Sequence, residues 1–308
     1  MSPIAVSVFK FFACFVLATT PVPAISNAIH CPGNVASVPF RLINRYQIVL
    51  PVFINHAGPF DFLLDTGTDT TIVGPSLAAE LHLRTQGSAV ISGAGFHESG
   101  SFAQLDLLQA GSHAVANQEV LVYGLLNLHS LDPRIRGILG EDFLAHFDML
   151  IDNGHKLLCL DDSAAMRAEV KGPHITLVAA SQAPDAERLP GLLIVEARLS
   201  DGSQPIRLKL DSGTNAPFLY NTSGHMGPGA FGGGLVVGSG ADGDEKVFSA
   251  LPPQDVKIGS VRLASVTFMT LAHPLKNSGR KEFDGLLSID LFRRVFINHA
   301  DHYAVLEP

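Results

Sequence analysis

The chain has 308 residues, 46% apolar, 16% charged and 7% aromatic, with no tryptophan, 29 glycines and 19 prolines. That length can bury a core as one large or two smaller domains, and the apolar share excludes a disordered chain. A net charge of -8, from 29 acidic against 21 basic residues, leaves no basic stripe for phosphate contacts and disfavours nucleic-acid binding.

Residues 1–28 read as a segment apart from the fold. A lone Lys10 is followed by the apolar run FFACFVLATT and then PVPAISNA, where small residues precede plausible cuts after Ala24 or Ala28, the pattern of a signal peptide. A membrane anchor needs about 18 or more uninterrupted apolar residues, and Lys10, Pro21 and Pro23 leave fewer. Lys10 is the only charged residue of the segment, so its removal takes the charge from -8 to -9. The expected product is exported, periplasmic or secreted, with no stable membrane insertion after cleavage. Of the cysteines outside that segment, Cys31 and Cys159, two readings stand: a disulfide, or a buried free thiol beside a mobile one. Spacing alone does not bring their Cα atoms within bridging distance.

Beyond residue 28 the abundant glycine and proline mark many turns, which excludes a helical bundle and favours short strands. The alternating runs VPFRLINRYQIVLPVFI, AQLDLL and SVTFMTL have period two and are bounded by turn residues, as half-buried strands are. Two pieces read as short helices, PSLAAELHL, with Pro75 suited to a first helical turn, and EDFLAHF. The fold class expected is all-β with few short helices.

The chain also says the same thing twice. FLLDTGTDTTIV around Asp65 returns as RLKLDSGTNAPFL around Asp211, each after an alternating apolar run. Asp65 precedes Gly93-Ala94-Gly95 by 28 residues and Asp211 precedes Gly238-Ser239-Gly240 by 27. The Gly111-Ser112 and Gly259-Ser260 pairs follow at 46 and 48, and GILG from Gly137 and GLLS from Gly285 at 72 and 74. Four landmarks in one order and spacing indicate two homologous lobes. We take them as 29–172 and 173–308, joined in the polar, Ala/Pro-containing stretch between Asp161 and Pro190.

A single D-[ST]-G tripeptide is weak evidence of chemistry. Two copies extended to D-[ST]-G-T at equivalent points of a duplication are specific. Glycine lets the backbone turn its N–H against the carboxylate, and small hydroxyl residues hold the aspartate in place. Two such loops facing each other would bring two carboxylates close together, where both cannot ionise easily, giving an acid and a base in one site.

LLDTGT with GILGEDFL, and LKLDSGT with GLLSIDLF, resemble the signature pairs of aspartic proteases, and GILGEDFL resembles the bacterial retropepsin-like branch more than pepsin. The resemblance covers about residues 40 to 306. It implies a bilobal pepsin-like or retropepsin-like fold of two β-barrel-like lobes with the active site between them, and an aspartic endopeptidase acting on peptide or protein. By the same resemblance Asp65 and Asp211 form the catalytic dyad and Thr66 and Ser212 cross-brace the loops. Gly67 and Gly213 bond the carboxylates through N–H, and Thr68 and Thr214 bond their outer oxygens. No tyrosine falls in ISGAGFHESG, where a pepsin flap would carry one. Glycine-rich segments at 91–100 and 236–244 instead imply one flap-like hairpin per lobe, with Gly93, Ala94, Gly95, Phe96, Gly238, Ser239 and Gly240 against substrate.

Other chemistries find less support. GPGAFGGGLVVGSGADGD has no following G-K-[ST], so it reads as a loop and not a phosphate cradle. Thirteen histidines lie scattered without ligand spacing, so no metal and no cofactor are expected. No G-x-S-x-G elbow occurs. Asn221-Thr222-Ser223 fits a glycosylation acceptor in a eukaryotic secretory setting. The alternative function is a catalytically silent peptide-binding or inhibitor-like module on the same scaffold. Because one chain holds both half-sites, a monomer with an intramolecular cleft is expected over two domains each needing a partner chain.

Overall fold

The strand Gln47–Ile54 is buried along nearly its whole length, and the alternation of its side chains decides how the first lobe is layered. Ile48, Leu50, Val52 and Ile54 join the main core with Phe62 and Leu64. Val49, on the other face, packs with Leu63 and Ile135 in a smaller cluster. The hairpin to Ala57–Leu64 turns through Asn55 and His56, both at positive φ (48° and 66°), as a two-residue turn that matches strand twist requires. This computed structural model describes residues 30–93, 96–178, 193–200, 204–220, 235–239, 245–272 and 282–308. The segment 1–28, Ala94, Gly95, Gly240 and Asn221-Thr222-Ser223 lie outside those residues.

Three sheets carry the chain. Eight strands between Arg41 and Leu139 form one, and nine strands between Ile194 and Ser288 form another. The third has five strands in the order Leu157–Asp161, Asp148–Asp152, Arg294–Asn298, Tyr303–Glu307 and Ile175–Thr176. It joins the halves, because Asp148–Asp152 runs antiparallel to Arg294–Asn298. The chain is thus bilobal and mostly β.

The sequence repeat is also a repeat of strand pairing. In the first lobe Ala57–Leu64 runs parallel to Ile135–Leu139, which pairs antiparallel with Ile72–Val73, itself parallel to His113–Val122. In the second, Ile206–Asp211 runs parallel to Gly285–Ser288, which pairs antiparallel with Phe218–Leu219, itself parallel to Met269–Leu271. Each aspartate stands at the end of the first strand of such a set, Asp65 just past Leu64 and Asp211 as the last residue of its strand. The glycine landmarks follow from close approach. A Cβ at Gly137 would lie 2.2 Å from the Phe62 ring, and one at Gly285 would lie 2.1 Å from the Phe218 carbonyl oxygen.

The expected helices are present but shorter, at Pro75–Glu80 and Glu141–Leu144. Leu126–Leu131 and Ala165–Glu169 are helical turns with no strong apolar period to announce them. IDLFRRVFIN contributes only the 3-10 turn Ile289–Leu291 before its strand. Of the two readings for the cysteines, the disulfide holds. Cys31 and Cys159 are bonded across 128 residues, with Cα atoms 5.9 Å apart, tying the start of the described chain to the strand Leu157–Asp161 of the interlobe sheet.

A bond closing so long a loop restricts the unfolded chain strongly. Replacing both cysteines by alanine is expected to lower the unfolding free energy by roughly 2–5 kcal/mol, measured by urea denaturation. Reductant should bring the parent protein down by a similar amount and leave the variant unchanged.

Candidate active site

The aspartates come together through their neighbours. Thr66 is fully buried and Ser212 nearly so, and they bridge the lobes reciprocally. The Thr66 N–H donates to Ser212 Oγ and the Ser212 N–H donates to Thr66 Oγ1, both at 3.0 Å. Each hydroxyl then donates to a carbonyl of the opposite strand, Thr66 Oγ1 to Leu210 at 3.0 Å and Ser212 Oγ to Leu64 at 2.9 Å. Four buried hydrogen bonds therefore cross between the residues that flank Asp65 and Asp211, and every partner is satisfied. The expected cross-brace is present in both directions.

Each glycine holds its own aspartate and abuts the other. The Gly67 N–H donates to Asp65 Oδ1 at 2.8 Å and the Gly213 N–H to Asp211 Oδ1 at 2.7 Å. A Cβ at Gly67 would lie 2.5 Å from the carboxyl carbon of Asp211, and one at Gly213 would lie 2.5 Å from that of Asp65. No side chain fits at either position, and each carboxylate rests against the opposite loop.

The threonines differ from expectation in one respect. Thr68 Oγ1 donates to Asp65 Oδ2 at 2.8 Å as expected. Thr214 reaches Asp211 through its backbone N–H instead, onto Oδ1 at 3.0 Å, while its hydroxyl donates to the Ala216 carbonyl at 2.9 Å. The two loops also differ in surroundings at the equivalent of the first lobe's Gly140. Gly140 packs so close that a Cβ would sit 2.9 Å from the Thr68 carbonyl oxygen, whereas Ser288 occupies that place in the second lobe and donates its hydroxyl to the Thr214 carbonyl at 2.8 Å. The first loop is braced by Asp142, whose carboxylate accepts from the Thr71 N–H at 2.8 Å, the Thr71 hydroxyl at 2.6 Å and Gln118 Nε2 at 3.1 Å. Burial pushes the Asp142 carboxyl up to about 6, against the pull of those Thr71 bonds.

The two carboxylates are unequal. Asp211 is 6% exposed, whereas Asp65 is half-buried. Burial raises the Asp211 carboxyl well above its ordinary 3.8, and the negative charge of Asp65 raises it further, against the Gly213 and Thr214 N–H bonds and the charge of Lys209. Raised in this way, the Asp211 carboxyl keeps its proton to higher pH than an exposed aspartate does.

Of the expected flap residues, Gly93 and Phe96 face each other at the end of the Thr85–Gly93/Phe96–Ala110 hairpin. Gly238 and Ser239 pair with Lys246 and Glu245 in the Leu235–Ser239/Glu245–Ala250 hairpin. Four contacts were not foreseen. Lys209 Nζ donates to the Gly67 carbonyl at 3.0 Å and to Asp69 Oδ1 at 2.5 Å. From the opposite lobe Gln47 Nε2 donates to the Gly213 carbonyl at 3.4 Å, and Asn215 Nδ2 donates to the Tyr46 hydroxyl at 3.0 Å. The available signal for Lys209 was only its place between Leu208 and Leu210, two residues before Asp211; for Gln47 and Tyr46 there was none. Among the described residues no group of three or more His, Cys, Asp or Glu could hold a metal ion.

Residues 50–143, which carry Asp65 and the Gly137–Gly140 element, match the aspartyl protease family. Over those residues the chain is similar to the aspartic proteases. An aspartic proteinase from Irpex lacteus is similar over 89% of this chain and 97% of its own, with 14% identity and a TM-score of 0.48. A retropepsin-like aspartic protease from Rickettsia conorii is similar over 41% of this chain and 93% of its own, with 20% identity and a TM-score of 0.30. No curated protein matches. The aspartic protease match stops at residue 143, so the second half-site rests on its own geometry, the strand pairing and loop contacts given above.

Two outcomes follow from the site's construction. Thr66→Val removes one donor and one acceptor from the brace and leaves the Ser212 N–H and Leu210 carbonyl buried and unpaired, so it should cost about 2–4 kcal/mol in chemical denaturation. For Asp211, a raised carboxyl means that the native state binds more protons than the unfolded chain from about pH 4 upward. The contribution is therefore full below that pH and is lost as pH rises through the raised value. Asp211→Asn, which still accepts the Gly213 and Thr214 N–H bonds, should unfold like the parent near pH 3. At pH 8 it should be more stable by on the order of 1–3 kcal/mol, read from urea unfolding at both pH values.

Proposed function

We propose that the chain is an aspartic endopeptidase that hydrolyses peptide bonds with a water activated between Asp65 and Asp211. The observation that carries the reading is reciprocal contact: the glycine of each Asp-[Ser/Thr]-Gly loop rests against the carboxylate of the other. Family and fold support an aspartyl protease activity in general, and the local chemistry supplies the steps. The ionised carboxylate takes a proton from the water as its oxygen bonds to the peptide carbonyl carbon. The protonated carboxyl donates to the carbonyl oxygen, and a proton then passes to the amine as the C–N bond breaks. One proton enters and one leaves the pair per turnover, so no covalent intermediate with the enzyme is needed. Both aspartates with their hydroxyl and glycine neighbours are present, which favours this reading over a silent peptide-binding module.

Export and a monomeric state belong to the same proposal. The Cys31–Cys159 bond fits an oxidising compartment, as the reading of residues 1–28 requires, and no helix among the described residues is long and apolar enough to cross a membrane. Both half-sites lie on one chain, so no second copy is needed to complete the dyad.

The test is cleavage of an unfolded protein substrate, with products identified by mass spectrometry. Internal cuts are expected, fastest at acidic pH and declining as pH rises and the shared proton is lost. Asp65→Asn and Asp211→Asn should each reduce the rate by a factor of at least about 10³. A clean preparation of either variant that still cleaves at the parental rate would overturn the dyad.

A further inference from the structure

Lys209 is completely buried. It lies two residues before Asp211 on Ile206–Asp211, the central strand that ends in the second loop. Opposite it in the sheet stand Ile194 on one neighbour and Leu286 on the other, and the Phe283 ring centroid lies 5.9 Å from Nζ. Its ammonium also reaches beyond its own lobe. It crosses to the first loop, donating to the Gly67 carbonyl at 3.0 Å and to Asp69 Oδ1 at 2.5 Å. Gly67 is the residue whose N–H holds Asp65 and whose Cα abuts the Asp211 carboxyl. One cation thus grips the peptide that separates the two carboxylates.

The duplication provides an internal control. The position equivalent to Lys209 is Leu63, and that equivalent to Asp69 is Asn215. The Gly213 carbonyl, the counterpart of Gly67, is also reached from the opposite lobe, but by the neutral Gln47 amide at 3.4 Å. The scaffold therefore holds this carbonyl without a charge on one side and with a charge on the other. A buried ion pair gives little or no net stability over an apolar pair of similar volume, so stability alone does not account for the lysine.

We propose that Lys209 is a positioning residue for the dyad, a buried cation that clamps the Asp65 loop from the second lobe and makes the two facing carboxylates electrostatically unequal. This rests on the reading of Asp65 and Asp211 as a working pair. The charge of Lys209 favours ionisation of Asp211, against burial and against Asp65. Among the described residues, the other ionisable groups on the elements around it are Asp65 and Asp69 of the first loop, Glu141 and Asp142 of the helix whose N–H groups donate to the Thr68 and Asp69 carbonyls, and Asp284 before the strand Gly285–Ser288. Glu196 and Arg207 complete the set on the adjoining strands, Glu196 exposed. Every group in the first loop and its helix is acidic; Glu141 meets His299 from the second half, and Lys209 brings a cation to Asp69.

The experiment compares the parent with Lys209→Met and with Lys209→Met/Asp69→Asn, the second removing both charges of the pair. Carboxyl titration by 13C NMR needs no turnover and reads the pair directly. Its upper midpoint should rise by about one pH unit in Lys209→Met, as loss of a near opposite charge requires, and by less in the double variant. Where the parent cleaves protein, the alkaline limb of kcat should move up with it, and kcat should fall at least tenfold with KM changed less than threefold. A folded double variant with parental titration and parental kcat overturns the inference, also when the single variant fails to fold. A parent that titrates as described but does not cleave overturns the endopeptidase reading and leaves the role of Lys209 to the titration.

Discussion

Everything at the candidate site depends on the exchange of hydrogen bonds between Thr66 and Ser212. Two loops from different lobes must keep like charges close together, an arrangement that repels when both are ionised. The opposing force is four hydrogen bonds in a buried setting, where each is stronger than in water and where losing one leaves a partner unsatisfied. The brace sits directly beneath the carboxylates because Thr66 and Ser212 immediately follow Asp65 and Asp211 in the chain. Its reach into both strands, through the Leu64 and Leu210 carbonyls, makes the separation of the carboxylates a property of the two sheets as well as of the loops.

The interlobe sheet works on the same problem from further away. Asp148–Asp152 of the first half and Arg294–Asn298 of the second share a ladder, and the buried His299 joins the Glu141 carboxylate to the Phe147 carbonyl across 158 and 152 residues of sequence. Burial opposes a charge on His299, but the Glu141 carboxylate outweighs it and raises the imidazole's affinity for a proton. Relative motion of the lobes would have to break a ladder, a buried pair and the brace together. The hinge freedom expected of two domains that merely touch is therefore restricted where the dyad needs it restricted.

Much of this was legible in the sequence because the duplication prints each element twice. The D-[ST]-G-T loops, the Gly137 and Gly285 strands and the flap-like hairpins stand in register, and period-two patterning gives the strands their faces. What escaped is what the two copies do not share. The same patterning would turn Lys209 toward solvent, since Leu208 and Leu210 point the other way. It fails because the strand is flanked on both sides and covered on both faces, a condition set by tertiary neighbours and not by the run IRLKLD. The Thr214 hydroxyl went astray because the expectation copied Thr68, although GLLS already sets Ser288 where GILG has Gly140. Gln47 and Tyr46 gave no signal because the first lobe's turn meets the second loop only through the folded interface. The cysteines stayed undecided until Cα positions were known.

The unshared residues also carry the physical consequence of duplication. Two identical half-sites would present equal carboxylates, and a proton between them would have no preferred owner. Here burial differs, with Asp211 6% exposed and Asp65 half-buried. The outer contacts differ too, since a threonine hydroxyl reaches Asp65 and two backbone N–H groups share one oxygen of Asp211. The charge nearby differs as well, since lysine stands on one side where leucine stands on the other. Each difference favours one distribution of charge over its mirror image, and each is built from a side chain outside the D-[ST]-G core. The core can stay nearly the same in both lobes, Thr66 against Ser212 apart, because its task, holding two carboxylates face to face, is symmetric. An acid and a base in one site is not, and the asymmetry has to enter through residues such as Lys209 and Ser288, which stand where the first lobe has Leu63 and Gly140.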